Sequence, residues 1–242
     1  MEREQFMRLH FLEHEPVDIP RNNLTTWAEK KGYSINRTDV SKGDQLPSQK
    51  DYDWLIVLGG FQHAWEEQKH PWLIEEKQFI SEALSADKII LGICFGAQLM
   101  AEVLGGSVFS NAKDEIGWHR VRLNSDGKQS FLFKNVPDVF LTFHWHSDHF
   151  SLPSGCTGLA SSEPTPYQAY THKDHRIAGL QFHPEYSIEI VRSFAVQYGH
   201  QWKKDRYVNS QEIVLSKADE IPETYWMMER LLDNMNREFG WS

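Results

Sequence analysis

The sequence predicts an α/β fold: an open, mostly parallel sheet with flanking helices and an antiparallel edge, followed by a helical C-terminal extension. Three observations carry that reading. Up to Gly106, short apolar runs alternate with amphipathic helical stretches, the pattern of right-handed βαβ crossovers. At the end of one such run a cysteine stands between two glycines, Gly92-Ile93-Cys94-Phe95-Gly96, just before a helical stretch. Beyond Gly106 the apolar runs stay short while the helices between them thin out, which predicts antiparallel pairing at one sheet edge.

The elements follow in order. Residues 6–12 form the first expected strand, closing at His14-Glu15-Pro16. Asn22 or Asn23 caps a helix through Trp27 and Ala28 that stops before Gly32. Strands are expected over 33–38 and 54–58. Pro71 suits the first turn of a helix carrying Trp72, Ile74, Phe79 and Leu84, because an N–H there has no intrahelical acceptor to lose. Residues 88–91 lead as a buried strand into the cysteine turn, and 97–104 form the helix behind it, ended by Gly105-Gly106. Short strands then recur over 107–110, 117–123, 139–145, 158–160, 167–171 and 177–182, before a helix from Ser187 through Ile190, Phe194 and Val196.

One domain over 1–200 and a helical extension over 201–242 packed on it account for the chain. In the extension, Tyr225, Met228, Leu231, Leu232 and Met235 recur at helical spacing and make one apolar face. That face either packs on the parent domain or docks another protein.

Composition narrows the function. With 25 Lys+Arg against 34 Asp+Glu, the net charge of −9 argues against a general nucleic-acid binder. Two cysteines, Cys94 and Cys156, make no disulfide framework, and Cys156 reads as a passive loop residue. The N-terminus lacks a signal-peptide pattern, and no run reaches the ~20 apolar residues of a membrane span. A cytoplasmic protein is expected, where a thiol stays reduced.

Strand, Gly-x-Cys-x-Gly and helix make the thiol form of a nucleophile elbow. The turn needs small flanking residues and lifts the thiol above the sheet, while the helix N-terminus favours a thiolate. Well downstream, Gly179-Leu180-Gln181-Phe182-His183-Pro184-Glu185 places His183 just past a strand, where open α/β sheets put their sites. A thiol needs a base, and the base needs a partner that fixes its tautomer; Cys94, His183 and Glu185 supply those roles.

Taken together, these segments resemble the class I, triad-type glutamine amidotransferases, and Asp53-Trp54-Leu55-Ile56-Val57-Leu58-Gly59-Gly60 looks like that family's strand into the oxyanion loop. Glu115-Ile116-Gly117-Trp118, Phe143-His144-Trp145-His146-Ser147-Asp148 and Arg206-Tyr207-Val208-Asn209-Ser210 are similar to its stand-alone branch, which includes γ-glutamyl peptidases. The resemblance implies a flavodoxin-like catalytic domain that needs no cofactor. It implies attack by Cys94 on a γ-glutamyl carbonyl, with His183 as base and Glu185 as its orienting partner. It places the oxyanion on the N–H groups of Gly60 and Phe95, a contribution of about 3–4 kcal/mol per donor. Gln98 would contact the glutamyl head group, and the Trp145-His146-Ser147 backbone would grip its α-carboxylate.

Two departures stand out. Phe61 replaces a proline that many relatives carry after the two glycines, which leaves the loop freer or re-aimed. Ser147 replaces a glycine, which implies strain or another path if that glycine has positive φ. His144, His146, His149 and Asp148 have metal-ligand chemistry, but the amidotransferase resemblance explains the segment without a metal. His146 is expected to line the acyl pocket. Trp54, Trp118, Trp145 and Phe143 belong to the core or the mouth of the cleft; Trp118 and Trp145 in the cleft would favour a leaving group larger than ammonia.

The expected substrate is thus a small γ-glutamyl molecule, glutamine or a γ-glutamyl peptide, cleaved through a cysteine thioester. Two alternatives stand beside it: a glutaminase subunit that feeds ammonia to a separate synthase, and a non-catalytic regulator that retains the fold. A synthase subunit or a second copy of the chain are the partners considered; nucleic acid and membrane are not.

Overall fold

The computed structural model describes residues 7–14, 22–218 and 224–240. Its strands are β1 (Arg8–His14), β2 (Ser34–Thr38), β3 (Trp54–Gly60), β4 (Ile89–Ile93), β5 (Val108–Leu123), β6 (Val139–Phe150), β7 (Cys156–Ser161), β8 (Ala169–His172) and β9 (Ile177–Leu180). The helices are α1 (Asn23–Lys31), α2 (Trp72–Ser85), α3 (Phe95–Val103), α4 (Ser125–Gln129), α5 (Ile188–Tyr198), α6 (Gln211–Ala218) and α7 (Thr224–Phe239). Phe6 and Glu15-Pro16, assigned from sequence to the first strand and its end, lie outside the described residues.

All nine strands form one sheet in the order β2-β1-β3-β4-β9-β8-β7-β5-β6. The first five in that order are parallel, and the pairs from β9 to β6 are antiparallel. The parallel strands are apolar along their length because helices cover both faces: β4 is buried at every position. Leu24, Trp27 and Ala28 of α1 fill one face together with Met227, Met228, Leu231, Leu232 and Met235 of α7. Phe79, Ile80 and Ala83 of α2 and Leu99 and Met100 of α3 fill the other.

The capping residues act as their chemistry demands. Asn22, rather than Asn23, is the N-cap of α1: its side chain accepts from Thr25 N, and Gly32 closes the helix at φ 72°. Ser187 caps α5 in the same way. Pro71 is the N-cap of α2, one position earlier than expected.

Two sequence expectations change, and one open alternative closes. The segments 107–110 and 117–123 are one strand, β5, which continues through a register shift between Ser110 and Glu115. β6 runs on to Phe150, so Ser147 and His149 are strand residues; Ser147 is not among the positive-φ residues, and the strain considered for it is absent. The apolar face of α7 is covered within the chain, where Trp27 Nε1 donates to Asp233 Oδ1 at 2.9 Å, so this face is not open for docking.

Residues 206–210 lace back onto the sheet. Ile116 N donates to Tyr207 O and Asn209 N to Ile116 O, and Asn209 Oδ1 accepts from Trp118 N. Gly117 lies at φ 105°, where a Cβ would meet Asn209 at 2.6 Å. The Glu115–Trp118 and Arg206–Ser210 motifs are therefore one structural unit, tied to α6 where Trp118 Nε1 donates to Val214 O at 3.1 Å.

Candidate functional site

Cys94 terminates β4 and caps α3 at φ 50°, ψ −108°, a conformation that costs a non-glycine residue about 1–3 kcal/mol. Its neighbours explain the turn. A Cβ on Gly96 would sit 2.0 Å from Val57 O, and one on Gly92 2.5 Å from Met100 Sδ. Glycine is required at both positions by close packing, and the cysteine absorbs the backbone strain.

His183 is fixed from four sides. Its N–H donates to Phe143 O at 2.9 Å, its Nδ1 lies 2.7 Å from Glu185 Oε1, and its ring stacks on Tyr186 at 4.4 Å. The remaining side interacts with the Cys94 thiol. Burial opposes a charge on the imidazole, but Glu185 and Cys94 outweigh it and hold the His183 pKa well above its ordinary value. The 184–186 turn is pinned by α1: Asn23 Nδ2 donates to Pro184 O and Tyr186 O, and Asn23 N to Glu185 O. Sequence reasoning treats Asn23 as a helix cap and misses this role.

Gly60, Phe61, Cys94, Trp145, His183 and Tyr186 line a cleft of about 40 Å³, room for little more than a water. Cys94 Sγ donates to Trp145 O at 3.8 Å and accepts from Gln181 Nε2 at 3.6 Å. Gly60 abuts Phe95, whose ring a Cβ on Gly60 would meet at 2.9 Å. Phe61, 48% exposed, stands edge-on to Trp145 at 5.5 Å and roofs the cleft. A larger cavity of about 520 Å³ beside α4 and α7 is lined by none of these residues.

Other expected residues lie elsewhere. Gln98 is buried, and its amide donates to Gln181 Oε1 at 3.2 Å and Asp148 O at 3.3 Å, so it faces Gln181 rather than the cleft. His146 does not line the pocket: its ring is buried, with Nδ1 against Asp148 O at 3.1 Å and Nε2 3.2 Å from Glu115 Oε2. Ser147 is exposed. Trp118 and Phe143 belong to the core with α5 and α6, and Trp54 stacks on Trp27 in the core beneath α1; only Trp145 of the four aromatic residues lines the cleft.

Two buried clusters join residues that the sequence reading does not bring together. His14 lies beside the Gly59-Gly60 end of β3, with Nδ1 3.1 Å from Gly59 O and Nε2 2.8 Å from Glu76 Oε1. Both neighbours are acceptors, so the ring donates from both nitrogens as an imidazolium; burial opposes this, and Glu76 with Gly59 O overcomes it to raise the His14 pKa. The second cluster joins Glu115, His144 and His146 between β5 and β6. Burial holds His144 neutral, its pKa lowered to about 3, against the pull of Glu115. Burial opposes ionisation of Glu115, yet His146 and the hydrogen bond from Ser162 lower its pKa to about 2.

A thiol on a strained strand-to-helix turn, faced by a buried histidine–carboxylate pair, on an open α/β sheet with this strand order defines a triad-type amidotransferase site. The chain belongs to that family: the model for glutamine amidotransferase class-I matches residues 21–196. The glutamine amidotransferase-like protein YfeJ of Salmonella typhimurium is 31% identical over 95% of this chain and 97% of its own length. A glutamine-hydrolyzing GMP synthase subunit of Methanocaldococcus jannaschii is 33% identical over 66% of this chain and 81% of its own. A crystal structure of a glutamine amidotransferase from Thermotoga maritima, 31% identical, superposes with a TM-score of 0.84 over 95% of this chain and 97% of that one.

Proposed function

We propose that the protein hydrolyses, or transfers, the γ-glutamyl group of glutamine or of a small γ-glutamyl peptide through a γ-glutamyl thioester on Cys94. The observation that carries this reading is the convergence of Cys94 with the 2.7 Å His183–Glu185 pair in the cleft beside Gly60. His183 takes the thiol proton as sulfur attacks the γ-carbonyl carbon. The N–H groups of Gly60 and Phe95 receive the developing oxyanion. Collapse breaks the C–N bond, His183 returns the proton to the leaving nitrogen, and the thioester remains. Water, or a second amine, then attacks the thioester carbon and gives its proton to His183; collapse breaks the C–S bond, releases the γ-glutamyl product and returns the proton from His183 to the sulfur, which restores the thiol.

Trp145 lines the cleft next to the sulfur, which supports the Trp145-His146-Ser147 backbone as the grip on the substrate α-carboxylate. Gln98 acts here as a positioning residue through Gln181, which reaches Cys94 Sγ. The reactive thiol supports a cytoplasmic location.

A second reading keeps the chemistry and changes its use: a glutaminase subunit that passes ammonia to a separate synthase. The similarity to a separately encoded subunit of a glutamine-hydrolyzing GMP synthase favours it. One experiment tests both. Amine and ammonia release is measured from glutamine, glutathione, a bulky glutathione conjugate and other γ-glutamyl peptides, with Cys94→Ala as control. Cys94-dependent release from peptides supports the stand-alone enzyme. Release from glutamine only when a synthase is added supports the ammonia-delivering role, and silence under every condition leaves a non-catalytic regulator.

A further inference from the structure

β5 and β6 pair so that Glu115 lies directly opposite His146 and Gly117 opposite His144. Residues two apart on a strand share a face, so Glu115, His146 and His144 project to the same side of the sheet. All three are buried, at 0%, 4% and 0% exposure. His146 Nε2 lies 3.2 Å and His144 Nδ1 3.7 Å from Glu115 Oε2, and one ligating atom from each residue falls within 4.8 Å of the others. Tetrahedral coordination with bonds of about 2.0–2.1 Å places ligand atoms roughly 3.3 Å apart, so the three groups are nearly at coordinating spacing.

The hydrogen bonding around them is incomplete in a particular way. Glu115 Oε1, both nitrogens of His144 and His146 Nε2 are buried without a hydrogen-bond partner. His146 Nδ1 faces a carbonyl, Asp148 O, and so carries the ring hydrogen; Nε2 then turns a lone pair toward a carboxylate. Two lone-pair atoms at that distance need positive charge between them. A proton on His146 Nε2 would serve that pair and leave His144 without any partner. A metal ion would engage all three groups.

The surroundings have the form of an outer shell. Ser162 Oγ, Thr165 Oγ1 and Gln168 Nε2 donate to Glu115 Oε2 at 2.9, 3.2 and 2.8 Å, hold the carboxylate in place and leave Oε1, buried without a hydrogen-bond partner, as its free oxygen. Asp148 O orients the His146 ring, as a backbone carbonyl does behind many metal-bound histidines.

We propose that Glu115, His144 and His146 bind a divalent transition-metal ion, with zinc the best match to two imidazoles and one carboxylate. The ion ties β5 to β6 behind the cleft. Phe143 O, which holds His183 N, and Trp145 O, which faces Cys94, flank His144 on that strand. Its role is structural: none of the three ligands lines the cleft.

The test is metal analysis of tag-free protein, before and after chelator dialysis and Zn²⁺ or Co²⁺ titration, with the Co²⁺ spectrum and thermal midpoint as readouts. Wild type should take up one equivalent per chain, show the intense visible bands of low-coordinate Co²⁺, and melt about 5 °C higher with Zn²⁺ than without. His144→Ala and Glu115→Gln should lose the metal, whereas Cys94→Ala, which removes the cleft thiol, should keep it. No stoichiometric uptake by wild type, or uptake abolished by Cys94→Ala, overturns the proposal. Wild-type stoichiometry and the Cys94→Ala result decide even where a ligand variant fails to fold.

Discussion

His14 and Glu76, one at the end of β1 and the other on α2, pair at 2.8 Å with neither side chain exposed to solvent, beside the Gly59-Gly60 end of β3. The pair couples the outer helix layer to the loop that would carry one oxyanion donor. Glu76→Ala strands a buried imidazolium, a change that costs about 3–5 kcal/mol. Urea denaturation at pH 7 should show that loss, and turnover per folded molecule should fall as well. Unchanged turnover in folded Glu76→Ala would separate the pair from the oxyanion loop.

A different variant probes the His183–Glu185 pair. His183 is held above its ordinary pKa, so the folded state binds this proton more tightly than the unfolded chain does and loses it as pH rises through the folded value. The stability that this proton contributes is complete below the unfolded pKa of about 6.5 and disappears as pH rises past the folded pKa. Glu185→Gln removes the charge that favours the proton. Activity should drop about 10²–10⁴-fold, and the acidic limb of kcat/KM, where protonation removes the base, should move to lower pH. An acidic limb that stays in place would mean Glu185 does not set the His183 pKa.

Phe61 closes the cleft from the solvent side against Trp145 and Tyr198. The Phe61→Ala variant should gain kcat/KM on bulky γ-glutamyl amides relative to glutamine, because the roof over the leaving group is removed. Its stability should change by less than about 1 kcal/mol, as befits a half-exposed side chain. Steady-state kinetics on a substrate pair checks the ratio; a ratio equal to that of wild type would place the leaving group elsewhere.

Leu231 is fully buried where α7 covers α1. Truncation to alanine should cost about 2–5 kcal/mol by loss of apolar burial and creation of a cavity. The readout is the denaturation midpoint. A change near zero would mean that α7 is not part of the cooperative core.

Much of the site was legible because it is local. The nucleophile turn is written in five consecutive residues, Gly92 to Gly96, since its tight path and close packing exclude a Cβ on either side of the cysteine. His183 and Glu185 are two residues apart, so their pairing needs only one turn. The strand containing Glu115 was less legible. Polar residues from Asn111 to Glu115 look like a break between two strands, yet β5 runs through them because the shift beside Ser110 re-phases the ladder. His146 likewise pointed to the acyl pocket until the β5–β6 register set it opposite Glu115. The tail motif around Asn209 carried no hint of its partner, Gly117, since 91 residues separate Asn209 from Trp118, whose N–H it accepts.

By itself the sequence determined the alternation of strands and helices, the strained cysteine turn, the histidine–carboxylate pair and the apolar stripe of α7. Each follows from steric limits or side-chain periodicity over a few residues. The tertiary structure alone decided which distant groups meet: His14 with Glu76, Asn23 with the 184–186 turn, Glu115 with His144 and His146, and α7 with α1. The physical reason is register. A strand's period sets which residues share a face, but only the order of strands in the sheet and the shift between neighbours set which residues stand opposite each other.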